Sequence, residues 1–251
     1  MSGTLIVVEG LYSMDGDTPD IARVVDADGS ERETGLEAIR VGQVVRVRPG
    51  ENLPVDGKVV RDNAAKIASN VANALWHSDS SFKAVPAKYS LLSARRIPTH
   101  GGNTEFADMR QAWDELDAET KATCADLICE HSQLYSRGLL GFDDFTDDDK
   151  RRFQPVRQRL VRTHPSTGRK SLFLASHAGT IEGWPVPEAR AFLRDLNEHA
   201  TQRKFVYAHV WKLHDLVMWD NRCMLHKANG DYDMNQTRYL YRVMLQGSVP
   251  V

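Results

Sequence analysis

The chain carries an HxD triplet, His77-Ser-Asp79. In an extended segment residues i and i+2 point to one face, so this spacing brings an imidazole and a carboxylate together. Both are metal ligands, yet two ligands do not make a site, and with 9 His in 251 residues one such triplet is within reach of chance. A third ligand has to come from the remaining histidines. His226 stands in a distinctive context, closing Trp219-Asp-Asn-Arg-Cys-Met-Leu-His226, which reads as a strand running into a polar turn. Two histidines and one carboxylate with coordination positions left open form the facial arrangement that suits non-haem Fe(II) handling dioxygen.

Arg238 and Arg242 follow downstream, and as strand residues four apart they share a face. Inward-facing arginines are costly unless they meet anions, and Arg is the bidentate partner of carboxylates. The pair therefore suits a dicarboxylate cosubstrate and an acidic substrate beside a metal. The same spacing also suits two solvent-facing arginines on an edge strand.

Composition narrows the classes further. With 41% hydrophobic and 26% charged residues and a formal net charge of −2, the chain is of ordinary globular type, without a field that would recruit nucleic acid or an acidic membrane. The apolar stretch at residues 5–8 is too short for a signal-peptide core or a membrane span, so a cytoplasmic location is expected. Cys124, Cys129 and Cys223 form no CxxC and read as small core residues rather than a disulfide framework or a zinc knuckle.

The elements that must position these groups are mostly strands. Residues 89–97, 171–175, 205–211, 216–219 and 239–245 are rich in aromatic, Leu and Val residues and bounded by turn formers. Helical spacing places Met109, Ala112, Trp113 and Leu116 on one face, continues over 118–128 behind an Asp117 cap, and recurs after Pro187-Glu188 with Ala189, Phe192, Leu193 and Leu196. The acidic run 143–150 reads as an exposed loop without calcium-loop spacing. Near the N-terminus Gly and Asp cluster over 15–29, residues 41–48 alternate apolar and charged, Pro49-Gly50 signals a turn, and 53–60 offers a second turn and strand, together a β-hairpin unit.

Several motifs in order carry a resemblance. Asn73-Ala-Leu-Trp-His-Ser-Asp-Ser-Ser-Phe82, Gly101-Gly-Asn-Thr-Glu-Phe-Ala-Asp-Met109, Leu160-Val-Arg-Thr-His-Pro165, Gly168-Arg-Lys, Glu182-Gly183 and Trp219-Asp-Asn-Arg222 with His226 resemble the taurine dioxygenase family of Fe(II)/2-oxoglutarate-dependent oxygenases, nearest its 2,4-dichlorophenoxyacetate branch. The resemblance covers roughly residues 70–245. It implies a mostly β fold with peripheral helices, a double-stranded β-helix of jelly-roll type, with iron held by His77, Asp79 and His226. It further implies that Thr104 and Arg238 hold the carboxylates of 2-oxoglutarate and that Arg242 and Asn73 contact a small acidic substrate. Trp76 and Trp219 read as packing around the metal, and His131, His164, His177, His199, His209 and His214 as surface or satisfied core residues, although His164 and His177 lie in strand-like segments able to face the pocket.

The implied activity is oxidation of that substrate by O2 with decarboxylation of 2-oxoglutarate to succinate, most simply ether cleavage of an aryloxyalkanoate to a phenol. The alternatives are a sulfonate dioxygenase, since Arg242 accepts sulfonate equally, and a catalytically inert truncated or fused homologue. The N-terminal part departs from the family pattern: 36–60 resembles part of the actuator domain of heavy-metal P-type ATPases, without that family's TGE or DKTGT motif, so ion pumping is excluded. The expected organisation is an atypical β-rich segment, 1–66, followed by a dioxygenase domain, 67–251. A barrel strand lost to that substitution would leave an unpaired edge that invites homo-oligomerisation.

Overall fold

Residues 4–10 read Thr-Leu-Ile-Val-Val-Glu-Gly, a run of β-branched side chains that favours an extended backbone. They form β1 (Thr4–Gly10) in the computed structural model, which describes residues 4–10, 21–25, 30–35, 44–47, 56–59, 71–233 and 235–247. β1 belongs to the first of two compact units, Met1–Ile67 and Ala68–Val251.

In the first unit β1, β2 (Ile21–Val25), β3 (Glu31–Gly35), β4 (Val44–Val47) and β5 (Asp56–Val59) form an antiparallel sheet in the order β3-β2-β4-β1-β5. The expected hairpin between the last two strands is not formed. Both pair with β1 instead, Ile6 lying opposite Val45 on one side and Val59 on the other. An apolar strand with two free edges is the stronger partner, because pairing on both sides leaves neither edge exposed. The Pro49-Gly50 turn and most of the Gly/Asp-rich stretch at 15–29 lie outside the described residues.

The second unit holds β6 (Ala87–Arg96), β7 (Thr104–Asp108), β8 (Ile128–His131), β9 (Val156–Arg159), β10 (Val161–Thr163), β11 (Lys170–Leu172), β12 (Ala178–Ile181), β13 (Val206–His209), β14 (Leu216–Asp220), β15 (Met224–Ala228) and β16 (Tyr239–Gln246). Two three-stranded sheets, β13-β7-β15 and β14-β6-β16, face one another through Phe106 and Trp219, whose ring centroids are 5.3 Å apart. A third sheet, β12-β8-β9, and the pair β10-β11 complete the strands. No helix among the described residues is long and apolar enough to cross a membrane.

The helices cover this framework where their sequence faces predict. In α1 (Met109–Asp114), Met109, Ala112 and Trp113 are buried in a core shared with Leu160, Leu172, Leu193 and Leu196. Asp117 caps α2 (Ala118–Cys124), its carboxylate accepting from the Thr120 N–H at 2.8 Å. This helix ends before residue 128, because Ile128 and Cys129 are taken into β8 between two partner strands. After the short α3 (Gln133–Gly138), the acidic run proves to be half helix: Thr146 and Asp149 form a capping box that opens α4 (Asp147–Arg152). Three aspartates in its first turn and three cations in its last complement the helix dipole, so the charge run is a helix signal rather than a loop signal. α5 (Val186–Ala200) buries Ala189, Leu193, Leu196 and Ala200 along one face.

His131 corrects an expectation. It is fully buried on β8 and stacked on Phe173 at 5.5 Å, yet neither ring nitrogen has a hydrogen-bond partner, so it is not a satisfied core histidine. Burial, aided by the nearby Arg162 charge, pushes its pKa down to about 3. The unfolded chain takes up this proton at an ordinary 6.5 and the folded chain only near 3, so stability is complete above that window and is lost as pH falls through it. At about pH 5 this ring alone costs about 2 kcal/mol. His131→Leu is therefore expected to make the fall in unfolding temperature between about pH 7 and pH 5 shallower; an unchanged slope in thermal denaturation would contradict the assignment.

Candidate functional site

His226 sits in the middle of β15, opposite Phe106 of β7 on one side. On its other side it meets His77 in an isolated antiparallel bridge, with the two backbones exchanging N–H···O bonds of 3.0 and 2.9 Å. The HxD triplet is thus not in a regular strand as its spacing suggested. Ser80, with φ 57°, turns the chain away directly after Asp79, so a single bridge rather than a ladder presents the triplet. The outcome is nonetheless convergence: His77 Nε2 lies 3.7 Å from Asp79 Oδ1, His226 Nε2 lies 3.8 Å from Asp79 Oδ2, and the imidazole centroids are 4.2 Å apart. One ligand atom from each residue falls within 4.8 Å of the others, and all three residues are buried.

Local contacts fix what each group offers. His77 Nδ1 is 2.7 Å from the Leu75 carbonyl oxygen, to which it donates, so the lone pair lies on Nε2 toward Asp79. The His226 ring packs 4.6 Å from Trp219, and its Nδ1 is buried without a partner. Burial pushes both imidazoles toward the neutral form against the opposing pull of Asp79, His226 down to about 3. Burial would raise Asp79, but its net direction is down, with the Arg242 guanidinium and a hydrogen bond from Ser90 favouring the carboxylate form beside neutral imidazoles. Two neutral nitrogen donors and one buried carboxylate that accepts a single hydrogen bond are a donor set that fits a divalent cation.

The support for Asp79 was not read from sequence. Ser90 of β6 donates to Asp79 Oδ2 at 2.6 Å, and the Asp79 N–H donates to Asn221 Oδ1 at 3.1 Å. Asn221 in turn donates to Ser90 Oγ at 2.8 Å and accepts from Trp219 Nε1 at 3.0 Å. Asn221 lay within the Trp219-Asp-Asn-Arg222 motif, which was its one signal; Ser90 had none. Removing an outer partner of a metal ligand lowers affinity by about 10- to 100-fold, so Ser90→Ala is expected to weaken Fe(II) binding by that factor while the chain stays folded. Unchanged affinity in an anaerobic Fe(II) titration would count against this network.

Thr104 and Arg238 are brought together. Arg238 Nε donates to the Gly102 carbonyl at 2.8 Å and its Nη2 to Thr104 Oγ1 at 3.3 Å. The same hydroxyl accepts from Trp211 Nε1 at 3.0 Å, which leaves its own proton for a further acceptor. Gly102 is required here: its φ is 67°, and an added Cβ would stand 3.0 Å from Arg238 Cδ. Arg242, half exposed on β16, instead reaches Asp79 Oδ1 at 3.8 Å. β16 begins at Tyr239, so Arg238 stands just before the strand and Arg242 within it, and the register shift between Tyr239 and Leu240 skips Arg95 of β6 rather than a residue of β16. Asn73 is exposed, and its carbonyl, not its side chain, ties it to β15 through the Ala228 N–H at 2.7 Å.

His164 and His177 lie just beyond strand ends rather than within strands. His177 packs against His77 with ring centroids 6.4 Å apart, whereas His164 Nε2 is bound to Asp220 at 3.0 Å. His164, Asp220 and Cys223 form a second cluster of metal-ligating types. Its carboxylate is already gripped by Arg222 through Nε and Nη2, and burial pushes the Cys223 thiol up to about 11, so this cluster is an ion-paired strand end. His199 is satisfied by the Ala112 carbonyl at 2.9 Å and His209 by Asp215 at 3.0 Å.

Comparison with known proteins supplies the family context. The 2,4-dichlorophenoxyacetate dioxygenase of Burkholderia sp. (strain RASC), named alpha-ketoglutarate-dependent, is 49% identical over 196 residues, which cover 78% of this chain and 66% of that protein. The (S)-phenoxypropionate/alpha-ketoglutarate-dioxygenase of Sphingobium herbicidovorans is 37% identical over 222 residues, covering 86% and 76%. The crystal structure of AAD-2 in complex with Mn(II) and N-oxalylglycine superposes with a TM-score of 0.71 at 61% identity, over 73% of this chain and 72% of that one. The resemblance of residues 36–60 to an ATPase actuator has no counterpart among these similarities, and the family match runs across that segment. With residues 5–244 matched by the taurine catabolism dioxygenase TauD, TfdA family and the His77, Asp79 and His226 cluster within that span, the chain belongs to the TauD, TfdA family.

Proposed function

We propose that this chain is an Fe(II)- and 2-oxoglutarate-dependent dioxygenase that hydroxylates a small acidic substrate, an aryloxyalkanoate, and so cleaves its ether bond. The observation that carries the reading is the convergence of three buried ligand atoms within 4.8 Å on His77, Asp79 and His226. When bound, Fe(II) with 2-oxoglutarate and O2 supplies the oxidant for a C–H bond, while 2-oxoglutarate leaves as succinate and CO2. The chain's own part is binding, orientation and exclusion of water. His77, Asp79 and His226 hold the metal. Arg238 and the free proton of Thr104 hold the carboxylates of 2-oxoglutarate, and Arg242 with Asn73 contacts the substrate. Hydroxylation of the carbon that bears the ether oxygen gives a hemiacetal, which breaks down to a phenol and a 2-oxo acid.

The facing sheets β13-β7-β15 and β14-β6-β16 support the finer assignment of a double-stranded β-helix, with residues 67–251 as the dioxygenase domain after an atypical segment, 1–66. Three free cysteines support a cytoplasmic, reducing location. The partners in this reading are the acidic substrate and O2, with a homo-oligomer as the assembly. The test is incubation with Fe(II), 2-oxoglutarate, O2 and phenoxyacetates, expecting phenol and succinate in equal amounts. Sulfite from taurine without phenol would replace the substrate class with sulfonates. Metal binding without substrate-dependent succinate would mean an inert homologue.

A further inference from the structure

Arg137 lies in α3, one residue beyond the buried Ser136, whose hydroxyl is 2.8 Å from His177 Nδ1. Ser136 Oγ donates to the Gln133 carbonyl, so it accepts from His177 Nδ1–H, and burial favours the neutral form of this ring, which lies between α3 and the metal ligands. Beside this contact the Arg137 guanidinium makes no hydrogen bond or ion pair with any described residue, although its Nη1 is buried. Its charge bears on His77 and His177, whereas the charge of Arg242 bears on His77, Asp79 and His226. Through Ser136 and His177, the helix that carries Arg137 packs on the His177 side of His77, while Arg242 reaches Asp79 Oδ1 at 3.8 Å.

A half-buried guanidinium without an anion is costly to keep, and its planar fork is shaped for a carboxylate. Among the described residues the one buried carboxylate is Asp79, which Ser90, His77, His226 and Arg242 already surround. The missing anion then comes from a ligand. It is not the 2-oxoglutarate carboxylate assigned to Thr104 and Arg238, because that pair is built around Gly102 and Trp211 rather than around His177. We propose that Arg137 is a second anchor for the acid group of the organic substrate, on the His177 side of the metal ligands and acting alongside Arg242. This rests on the dioxygenase reading for the identity of the ligand as a substrate, but not for its binding.

The test is calorimetric binding to the full chain held with Mn(II) and 2-oxoglutarate under argon, using phenoxyacetate and its uncharged counterpart phenoxyethanol as probes. Arg137→Gln is expected to weaken phenoxyacetate binding by on the order of tenfold or more, the loss of a charge-assisted hydrogen bond. Phenoxyethanol and 2-oxoglutarate should change by no more than about twofold, and Arg137→Lys should fall in between. Wild-type affinity for phenoxyacetate in Arg137→Gln would overturn the proposal, as would equal losses for both probes or no phenoxyacetate binding by the wild type. If Arg137→Gln does not fold, Arg137→Lys carries the test, since it keeps the charge but not the fork. Binding that depends on Arg137, without phenol or succinate once Fe(II) and O2 are supplied, refutes the dioxygenase reading and leaves the anchor standing. Wild-type turnover and KM in Arg137→Gln do the reverse.

Discussion

Replacing Asp79 by alanine is expected to lower substrate-dependent succinate production by about 10³-fold or more, since the bound metal contributes several kcal/mol of transition-state stabilisation that no other group can supply. Asp79 is the one anionic donor among the three proposed ligands, and the Arg242 guanidinium and the Ser90 hydrogen bond favour its carboxylate form. Asp79→Asn is the sharper control, because it keeps the shape and a hydrogen bond with Ser90 while removing the charge. Both variants should keep the folded baseline in circular dichroism and lose Fe(II) affinity. Activity within about tenfold of wild type in either would remove Asp79 from the metal site.

Arg238→Gln is expected to weaken 2-oxoglutarate binding by about 10²-fold, in line with truncating one member of a buried charged pair. Burial lowers the pKa of Arg238 while its Nη2 donates to Thr104 Oγ1, so the free side chain is already oriented and desolvated before any anion arrives. Fe(II) affinity should not change, because Arg238 contacts Gly102 and Thr104 and none of the three metal ligands. Arg238→Lys should recover only part of the loss, since lysine keeps the charge and gives up the fork. A 2-oxoglutarate dissociation constant within about twofold of wild type in Arg238→Gln would contradict the assignment.

How far the residues alone reach depends on the range of each signal. His77, Asp79 and His226 were legible because their types are distinctive, and the structure brings their ligand atoms together. Ser90 was not, because a serine on a strand carries no chemical mark, and Asn221 was marked only by its motif, since its bond to Asp79 spans 142 residues. Local helix signals carried well: the apolar face of α1 and the Asp117 cap both stand as expected. The acidic run was misread because its charges drew attention from the Thr146 and Asp149 box that starts a helix. Strand pairing travelled worst. Residues 44–47 and 56–59 are neighbours in sequence and each forms a strand, but both are claimed by β1 from the far end of the unit, which no local turn signal reveals. The strand predicted at 239–245 forms at Tyr239–Gln246, which leaves Arg238 just ahead of it and Arg242 within it.

The central claim is that His77, Asp79 and His226 form a working Fe(II) site that accepts 2-oxoglutarate. Anaerobic titration of the purified chain with Fe(II) and 2-oxoglutarate, followed in the visible for the metal-to-ligand charge-transfer band, tests it most directly, with His77→Ala as control. A band that saturates with 2-oxoglutarate in the wild type and is absent in His77→Ala is the expected result. A folded wild-type chain without the band, or a band of equal strength in His77→Ala, would contradict it.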